Sequence, residues 1–303
     1  MLPGGWDYDG TLRAAMFAHL DDLLAGGPPR AVLSAEINHF SFDGRPMRLI
    51  VQSGIWKPKR LDAALTIRTT YTPPNAVPPY EDDIGIEGLP RYKYRGTDAE
   101  HSDNRALRAA MQGGLPLAYF VGVERGVYVP QYPVWVEAEN RAGLEFMIAV
   151  DEQQHGLELA ELAPLQRAYV TRLTKARMHQ PLFRARVLRA YDGRCAICRL
   201  HHAELLDAAH IIPDGQPQGE PIVPNGLSLC KIHHAAYDTN LIGVRRDLVV
   251  EVQPRLLEEA DGPMLRHGLQ EISGSRLTIP RQRLAQPDPD RLEARFDQFR
   301  AAS

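Results

Sequence analysis

Apolar residues near the start of the chain repeat with a helical period, and those further on fall into short runs. The repeating residues, four positions apart, are Leu12, Met16, Leu20 and Leu24. This period predicts an amphipathic helix over residues 9–25. Between residues 30 and 136, glycine and proline separate runs that are rich in aromatic and β-branched residues. The runs with strand composition are residues 47–52, 65–69, 118–123 and 127–129. With one helix at 104–111, we expect a mostly antiparallel sheet or barrel.

A helical period returns in the second half of the chain. One apolar stripe within residues 157–191 consists of Leu162, Leu165, Tyr169 and Leu173. A second helix is predicted after Pro181, and a last helix over residues 290–301. Between them, residues 241–244 and 248–252 have the composition of strands. The order of these elements predicts an α+β protein with a helical segment in its middle.

The composition excludes several classes of protein. The chain has 303 residues, of which 44% are hydrophobic and 24% charged, and its net charge is −3, which is ordinary for a folded soluble protein. No stretch approaches the ~18 consecutive apolar residues of a membrane-spanning helix. The first residues lack the charged and apolar regions of a signal peptide, so the cytoplasm is the expected location.

Positive charge is concentrated in one segment of this slightly acidic chain. Between Gln166 and Arg199 there are nine basic residues and one acid, a net charge of +8 over 34 residues. A basic stripe of this kind suits a polyanion such as nucleic acid, although a solvated helical face gives the same pattern. The residues expected to contact DNA phosphates are Arg172, Arg184 and Arg186.

The three cysteines indicate a metal site rather than a disulfide framework, because their number is odd and two of them form a Cys-x-x-Cys pair. That pair is Cys195 and Cys198, and after an interval of 31 residues Cys230 and His233 form a second pair of the same spacing. Two such knuckles supply the four ligands of a structural, tetrahedral Zn²⁺ site. Burial as ordinary core cysteines is the alternative interpretation.

Three polar motifs lie between and just after the two knuckles. They are LDAAHIIP at residues 206–213, NGLSLC at 225–230 and HHAAYD at 233–238. With the knuckles, they make the chain around residues 180–250 resemble the HNH nuclease family, in which two strands and a helix surround one metal ion. The resemblance makes His210, Asn225 and His234 the three signature residues, and it implies a phosphodiester hydrolase.

The residue types fit the chemistry that the resemblance implies. A histidine with a near-neutral pKa suits the general base that deprotonates the attacking water, and His210 would have this role. Asn225 would orient the ring of His210 or help to form the metal site. His234 and Asp238 are four residues apart on a predicted helix, so they share one face and can hold a divalent ion such as Mg²⁺ or Mn²⁺.

One position departs from the family pattern. Many HNH nucleases have an aspartate or histidine ligand immediately before the base, and this chain has Ala209 there. Asp207 lies on the same face of the predicted strand, and we expect it to reach the ion directly or through water. The spacing of the second knuckle assigns His233 to zinc, which leaves His234 for the catalytic ion.

Two segments of the N-terminal half carry a second set of aromatic and polar residues. YEDDIG occupies residues 80–85, and RYKYRG occupies residues 91–96. In this order, and followed by NRAL at 104–107, they resemble the SRA domain, a PUA-like barrel that flips a modified cytosine out of duplex DNA. The resemblance covers about residues 40–137.

The SRA resemblance implies that Tyr80 and Tyr94 sandwich the flipped base and that Asp83 accepts a hydrogen bond from cytosine. The residue types fit this task, because stacking contributes ~1–3 kcal/mol per base and a carboxylate accepts from the N4 amino group of cytosine. Thymine has a carbonyl group at that position and would be rejected. The alternative is that both tyrosines are ordinary aromatic residues of the barrel.

These observations predict four regions along the chain. They are an N-terminal helix at residues 1–29, an SRA-like reader at 30–150, a basic helical linker at 151–182, and a zinc-stapled HNH domain of the ββα-metal type with a C-terminal extension at 183–303. The expected protein is a restriction endonuclease, type IV-like, that recognises 5-methylcytosine or 5-hydroxymethylcytosine in double-stranded DNA. A reader with weak or absent nuclease activity and an RNA-directed nuclease are the alternatives. One HNH site cuts one strand at a time, so a double-strand break requires a homodimer or two binding events.

Overall fold

The computed structural model describes residues 7–25, 29–71, 85, 87–157, 162–260 and 262–302. The chain divides into two compact units, Met1–Leu182 and Phe183–Ser303, each with its own hydrophobic core. Both units combine helices with strands, which confirms the α+β prediction. Within the described ranges, every helix is too short or too polar to cross a membrane.

The first unit is built around a seven-stranded sheet. Its elements in chain order are α1 (Tyr8–Leu24), β1 (Val32–Leu33), α2 (Ser34–Ile37), β2 (Phe40–Phe42), β3 (Arg45–Met47), β4 (Ile55–Trp56), β5 (Thr66–Arg68), β6 (Arg91–Lys93), α3 (Ser102–Gln112), β7 (Leu117–Glu124), β8 (Val127–Asn140), β9 (Glu145–Ala149) and α4 (Pro164–Thr174). The sheet order is β4-β5-β7-β8-β9-β6, with β1 also paired to β8, and β2 and β3 form a separate hairpin. Strands β5 and β7 are parallel, and the other described pairs in this unit are antiparallel, as the sequence predicted.

Helix α1 forms where its sequence pattern predicts it. It begins after Asp7, whose carboxylate Oδ1 accepts a hydrogen bond from the Gly10 backbone N at 3.0 Å, and it ends at Ala25 in the left-handed conformation. The residues of the predicted stripe are all buried: Leu12, Met16, Leu20 and Leu24. The four-residue period therefore identified the face of α1 that packs on the first core.

The strand predicted at residues 47–52 is wrong beyond Met47, where β3 ends. The cause is a side chain from elsewhere in the fold. The Oδ1 atom of Asn38 accepts a hydrogen bond from the Ile50 backbone N at 2.8 Å, so this part of the backbone is satisfied without a partner strand.

Helix α4 presents a different face to the core from the one predicted. Leu165 and Tyr169 are 83% and 47% exposed, whereas Val170 and Thr174 are buried. The amide Nε2 of Gln154 donates to the Val170 carbonyl and to the Thr174 Oγ1, both at 3.0 Å. The buried face of α4 is therefore partly polar. For this reason the predicted stripe of apolar residues did not coincide with it.

The second unit contains two hairpins that are surrounded by helices. Its elements are α5 (Gln180–Ala190), which begins just before the division between the units, β10 (Leu206–His210), β11 (Gly226–Cys230), α6 (Lys231–Asp238), β12 (Ile242–Val244), β13 (Val250–Val252), α7 (Pro254–Leu257), α8 (Pro263–Leu265) and α9 (Pro289–Ala301). Strands β10 and β11 pair antiparallel, and so do β12 and β13. Helix α6 follows β11 directly, so β10, β11 and α6 form a ββα unit.

The β10–β11 hairpin is packed closely against α5. In its register, His210 lies opposite Gly226 at one end, and the last residue of β11 lies opposite the first residue of β10 at the other. A Cβ atom on Gly226 would lie 2.5 Å from the Val187 Cγ2 and 2.9 Å from the Phe183 Cζ. Glycine is therefore required at this position because α5 approaches the strand so closely.

The C-terminal residues complete the second core. Leu292 on α9 is fully buried in the same cluster as the β10–β11 hairpin. The Nη2 atom of Arg295 donates to the Tyr237 carbonyl at 2.6 Å, and its guanidinium carbon lies 4.8 Å from the centroid of the Tyr237 ring. Helix α9 therefore holds the C-terminal turn of α6 in place.

Candidate metal and catalytic sites

Four metal-ligating side chains meet at the start of α6. The ligand atoms of Cys195, Cys198, Cys230 and His233 all lie within 4.8 Å of one another. The Nδ1 atom of His233 is 3.2 Å from the Cys230 Sγ and 3.5 Å from the Cys195 Sγ, and the Cys198 and Cys230 sulfurs are 4.0 Å apart. Metal bonds of ~2.3 Å to sulfur and ~2.0 Å to nitrogen in a tetrahedron place neighbouring donors roughly 3.5–3.8 Å apart. The cluster therefore fits one tetrahedral metal ion.

Hydrogen bonds with neighbouring groups orient the His233 ring and favour the thiolate form of Cys195. The His233 Nε2 donates to the Gly268 carbonyl at 2.8 Å, which leaves Nδ1 as the ligand atom. Hydrogen bonds with Cys198 and Cys230 lower the pKa of the Cys195 thiol, which favours the thiolate that a metal binds. Among the described residues, no other group of three or more His, Cys, Asp or Glu side chains is gathered as closely.

His210 is the last residue of β10, and its side chain is half-buried. The ring stacks on the Phe183 ring with centroids 4.1 Å apart, and its buried Nε2 has no hydrogen-bond partner within the described part of the chain. Burial lowers the pKa of His210, and the nearby carboxylates of Asp214 and Asp238 offset part of this effect. The neutral imidazole, which is the form that can accept a proton, is therefore favoured near pH 7.

Asn225 is fully buried and holds the segment that follows His210. Its Oδ1 accepts from the Ile212 backbone N at 2.8 Å, and its Nδ2 donates to the carbonyls of Ile212 and Glu220 at 2.9 and 3.1 Å. Both amide hydrogens and the amide oxygen are thus engaged with the backbone. The sequence predicted a contact with the His210 ring or with the ion, whereas these hydrogen bonds support His210 through the adjoining chain.

His234 lies on α6 between two carboxylates. Its Nε2 is 3.3 Å from the Asp238 Oδ2, and its Nδ1 is 3.8 Å from the Asp207 Oδ2. The side chains of His234 and Asp238 are 23% and 59% exposed, so substrate and solvent can reach them. An imidazole and a carboxylate fit Mg²⁺ or Mn²⁺, because such ions fill much of their coordination sphere with water and substrate phosphate oxygens.

The predicted phosphate-binding arginines have different surroundings. Arg172 is exposed in the last turn of α4, and Arg186 on α5 is half-buried. The Nη2 atom of Arg184 donates to the carbonyls of Ala203 and Leu206 at 2.8 and 2.9 Å. The Arg184 guanidinium is thus engaged within the second unit, where it braces the start of β10.

Of the three residues predicted to form a base pocket, Tyr80 and Asp83 lie outside the described residues. Tyr94 directly follows β6 and is 3% exposed. Its hydroxyl donates to Glu139, which also accepts two hydrogen bonds from Arg108. The hydrogen bonds from Arg108 lower the pKa of Glu139 to about 2, so Glu139 is a carboxylate that anchors the Tyr94 hydroxyl.

Two contacts at these sites had no signal in the sequence. Phe183 was one apolar residue among many on a predicted helix, and its position over His210 depends on how α5 packs. Gly268 contacts His233 through its backbone carbonyl, which carries no side-chain signal. Both contacts join segments that are far apart along the chain.

Known proteins match this chain most clearly in the second unit. The family model described as HNH endonuclease matches residues 195–245, which contain both knuckles, β10, β11 and α6. The chain therefore carries an HNH endonuclease domain, and the protein is a nuclease. A solved structure titled "Modification dependent TagI restriction endonuclease" is similar at 16% identity with a TM-score of 0.29, over 90% of this chain and 93% of that one. A comparison with curated proteins finds no match.

Proposed function

We propose that the protein is an endonuclease that cuts double-stranded DNA containing 5-methylcytosine or 5-hydroxymethylcytosine. One observation supports the cutting activity: within the region matched to HNH endonucleases, His234 and Asp238 contact each other and lie close enough to His210 to influence its pKa. The choice of modified DNA rests on the SRA-like residues Tyr80, Asp83 and Tyr94. In this proposal, residues 30–150 form the reader.

In the proposed reaction, His210 deprotonates the water that attacks phosphorus. The stacked Phe183 ring and the chain segment held by Asn225 fix the His210 ring before substrate binds, which lowers the entropic part of the barrier. His234 and Asp238 would hold Mg²⁺ or Mn²⁺, which when bound stabilises negative charge on the phosphate and on the departing 3′ oxygen.

We assign the Cys₃His cluster to structural Zn²⁺. Thiolate and imidazole ligands suit zinc, whereas Mg²⁺ and Mn²⁺ prefer oxygen. Four protein ligands fill a tetrahedral coordination sphere and leave no position for substrate. The ion would tie the Cys195–Cys198 knuckle to the start of α6 and so hold His234 relative to β10.

Tyr94 is held rigidly, but its ring is 3% exposed and its centroid lies 4.9 Å from that of the Phe146 ring, so the reader part of the proposal rests on the SRA-like residue pattern. A base that leaves the duplex loses stacking and pairing worth a few kcal/mol, so the pocket that receives it needs rigid aromatic surfaces. Arg108 and Glu139 hold the Tyr94 hydroxyl from within the first unit. The exposed Arg172 would contribute a phosphate contact that is independent of base identity.

Asp83→Ala is expected to remove most of the preference for modified cytosine. Loss of a charged hydrogen bond worth ~1.5–3 kcal/mol corresponds to a roughly ten- to hundredfold change in affinity. The measurement is competition binding to matched duplexes with and without 5-methylcytosine, at two salt concentrations, without divalent ions.

Arg172→Ala is the matched control for Asp83→Ala. It should weaken binding to both duplexes equally and reduce the salt dependence, because it removes only a phosphate contact. An Asp83→Ala variant that prefers modified DNA as strongly as the wild type would place the base pocket elsewhere. Wild-type protein without any such preference would refute modification dependence itself.

The pH dependence of cleavage should follow the lowered pKa of His210. The base is active only when neutral, so activity is lost as the pH falls through the pKa of His210. Because burial lowers this pKa, we expect the acid limb of kcat/KM to have its midpoint below the ~6.5 of a free imidazole. A midpoint above that value, measured at saturating Mg²⁺, would contradict this assignment of the base.

A further inference from the structure

Asp207 on β10 is surrounded by cationic groups on two sides. Its Oδ1 accepts a hydrogen bond from the Ala208 backbone N at 3.0 Å and lies 3.5 Å from the Arg184 Nε. Its Oδ2 lies 3.2 Å from the Lys231 Nζ and 3.8 Å from the His234 Nδ1. The backbone N of Ala208 and the side chains of Arg184 and Lys231 therefore hold the carboxylate in place beside His234.

The two carboxylates beside His234 contact opposite nitrogens of its ring. Asp207 faces Nδ1, whereas Asp238 faces Nε2 at 3.3 Å. An imidazole binds a metal ion through one nitrogen at a time. In this arrangement an ion bound to His234 therefore shares the site with Asp207 or with Asp238, but not with both.

Charge favours the Asp238 side for the ion. A dication beside Asp207 would lie close to the Arg184 and Lys231 cations, and like charges repel at these short distances. The Asp238 carboxylate is 59% exposed, and its electrostatic influence reaches the His210 base. An ion at the Nε2 of His234 thus lies near the base, where the reaction takes place.

We propose that Asp207 is a positioning residue for His234 rather than a metal ligand. Its carboxylate lies 3.8 Å from Nδ1 and favours the ring orientation in which Nε2 faces Asp238 and the divalent ion. Carboxylates commonly hold metal-binding histidines in this way through the second ring nitrogen. The inference rests on the proposed nuclease site, and it gives Asp207 a role different from the one that the sequence suggested.

The test compares two substitutions at Asp207 by their effect on ion binding. Full-length, zinc-containing protein is titrated with Mn²⁺, and free Mn²⁺ is measured by electron paramagnetic resonance without DNA. Asp207→Ala is expected to weaken Mn²⁺ binding about 10- to 100-fold, the usual effect of losing such a support. Asp207→Asn should retain most of the affinity, because its amide oxygen is still an acceptor that faces Nδ1, as the carboxylate does at 3.8 Å in the wild type.

Two further variants serve as references. Asp238→Asn replaces a charged ligand with a neutral amide oxygen in this proposal, so it should weaken Mn²⁺ binding although it is the conservative substitution. Asp247→Ala removes the same charge from the exposed turn between β12 and β13, and it should bind Mn²⁺ like the wild type. Zinc content and thermal unfolding show whether each variant is folded.

The outcomes separate this inference from the proposed function. If Asp207→Asn binds Mn²⁺ as weakly as Asp207→Ala, the charged carboxylate itself is a ligand and the inference is wrong. Wild-type affinity in Asp207→Ala would exclude any role in positioning. Both results would leave the proposed nuclease site intact, whereas wild-type protein that binds no Mn²⁺ would refute the ion site and the inference together.

Discussion

His210→Ala is expected to reduce DNA cleavage about 10²- to 10⁴-fold, the usual contribution of a general base, without weakening DNA binding. The ring at position 210 is the group that we assign to proton removal, and the alanine variant cannot perform this step. The strand should persist, because its hydrogen bonds to β11 involve the backbone. Single-turnover cleavage of a labelled duplex gives the rate, and a gel-shift titration gives the affinity.

His202→Ala is a suitable control for this experiment. His202 is exposed in the loop before β10, so its removal takes away an imidazole without changing the site. It should cleave like the wild type. Near-normal cleavage by His210→Ala would mean that another group is the base, and a parallel loss of DNA binding would mean that His210 has a structural role.

Cys195→Ser is expected to release the metal and unfold the second unit. Structural zinc contributes about 10–16 kcal/mol in small zinc domains, which is as large as the whole stability of a typical domain at about 5–15 kcal/mol. Metal analysis after dialysis should find about one zinc per wild-type chain and none in the variant. Hydrogen exchange should show lost protection in β10, β11 and α6 while β7 and β8 remain protected.

His201→Ala controls for changes near the first knuckle, because His201 is exposed and lies outside the cluster. His201→Ala should retain its zinc, and β10, β11 and α6 should remain protected from hydrogen exchange. A folded wild-type protein that contains no zinc after dialysis would contradict the structural role that we assign to the cluster. So would a Cys195→Ser variant whose second unit keeps its protection.

Features encoded by nearby residues could be predicted from the sequence. The four-residue period located α1, and the spacing of the knuckles identified the four members of the Cys₃His cluster. The spacing of His234 and Asp238 predicted that they share one face of a helix, and they do so on α6. Within α1, within each knuckle and within α6, the pattern spans only a few residues, so local backbone geometry is sufficient to align these side chains. The two knuckles are 31 residues apart, and the fold brings them together.

Features that depend on distant packing could not be predicted. Asn225 is held by backbone groups of a loop whose path the sequence does not reveal, so its hydrogen bonds became apparent only in the fold. The placement of Asp207 and Asp238 on opposite sides of the His234 ring depends on how α6 packs against β10. Helix α4 was assigned the wrong buried face because Gln154 provides polar partners for its core-facing side.

The most direct test of the proposed function measures cleavage of two duplexes in one tube. The duplexes have the same sequence and different fluorescent labels, and only one of them contains 5-methylcytosine. With wild-type protein and Mg²⁺ or Mn²⁺, we expect the modified duplex to be cut at least about tenfold faster, in line with the hydrogen bond assigned to Asp83. Equal rates of cleavage for the two duplexes would contradict the proposal that this nuclease depends on modified cytosine.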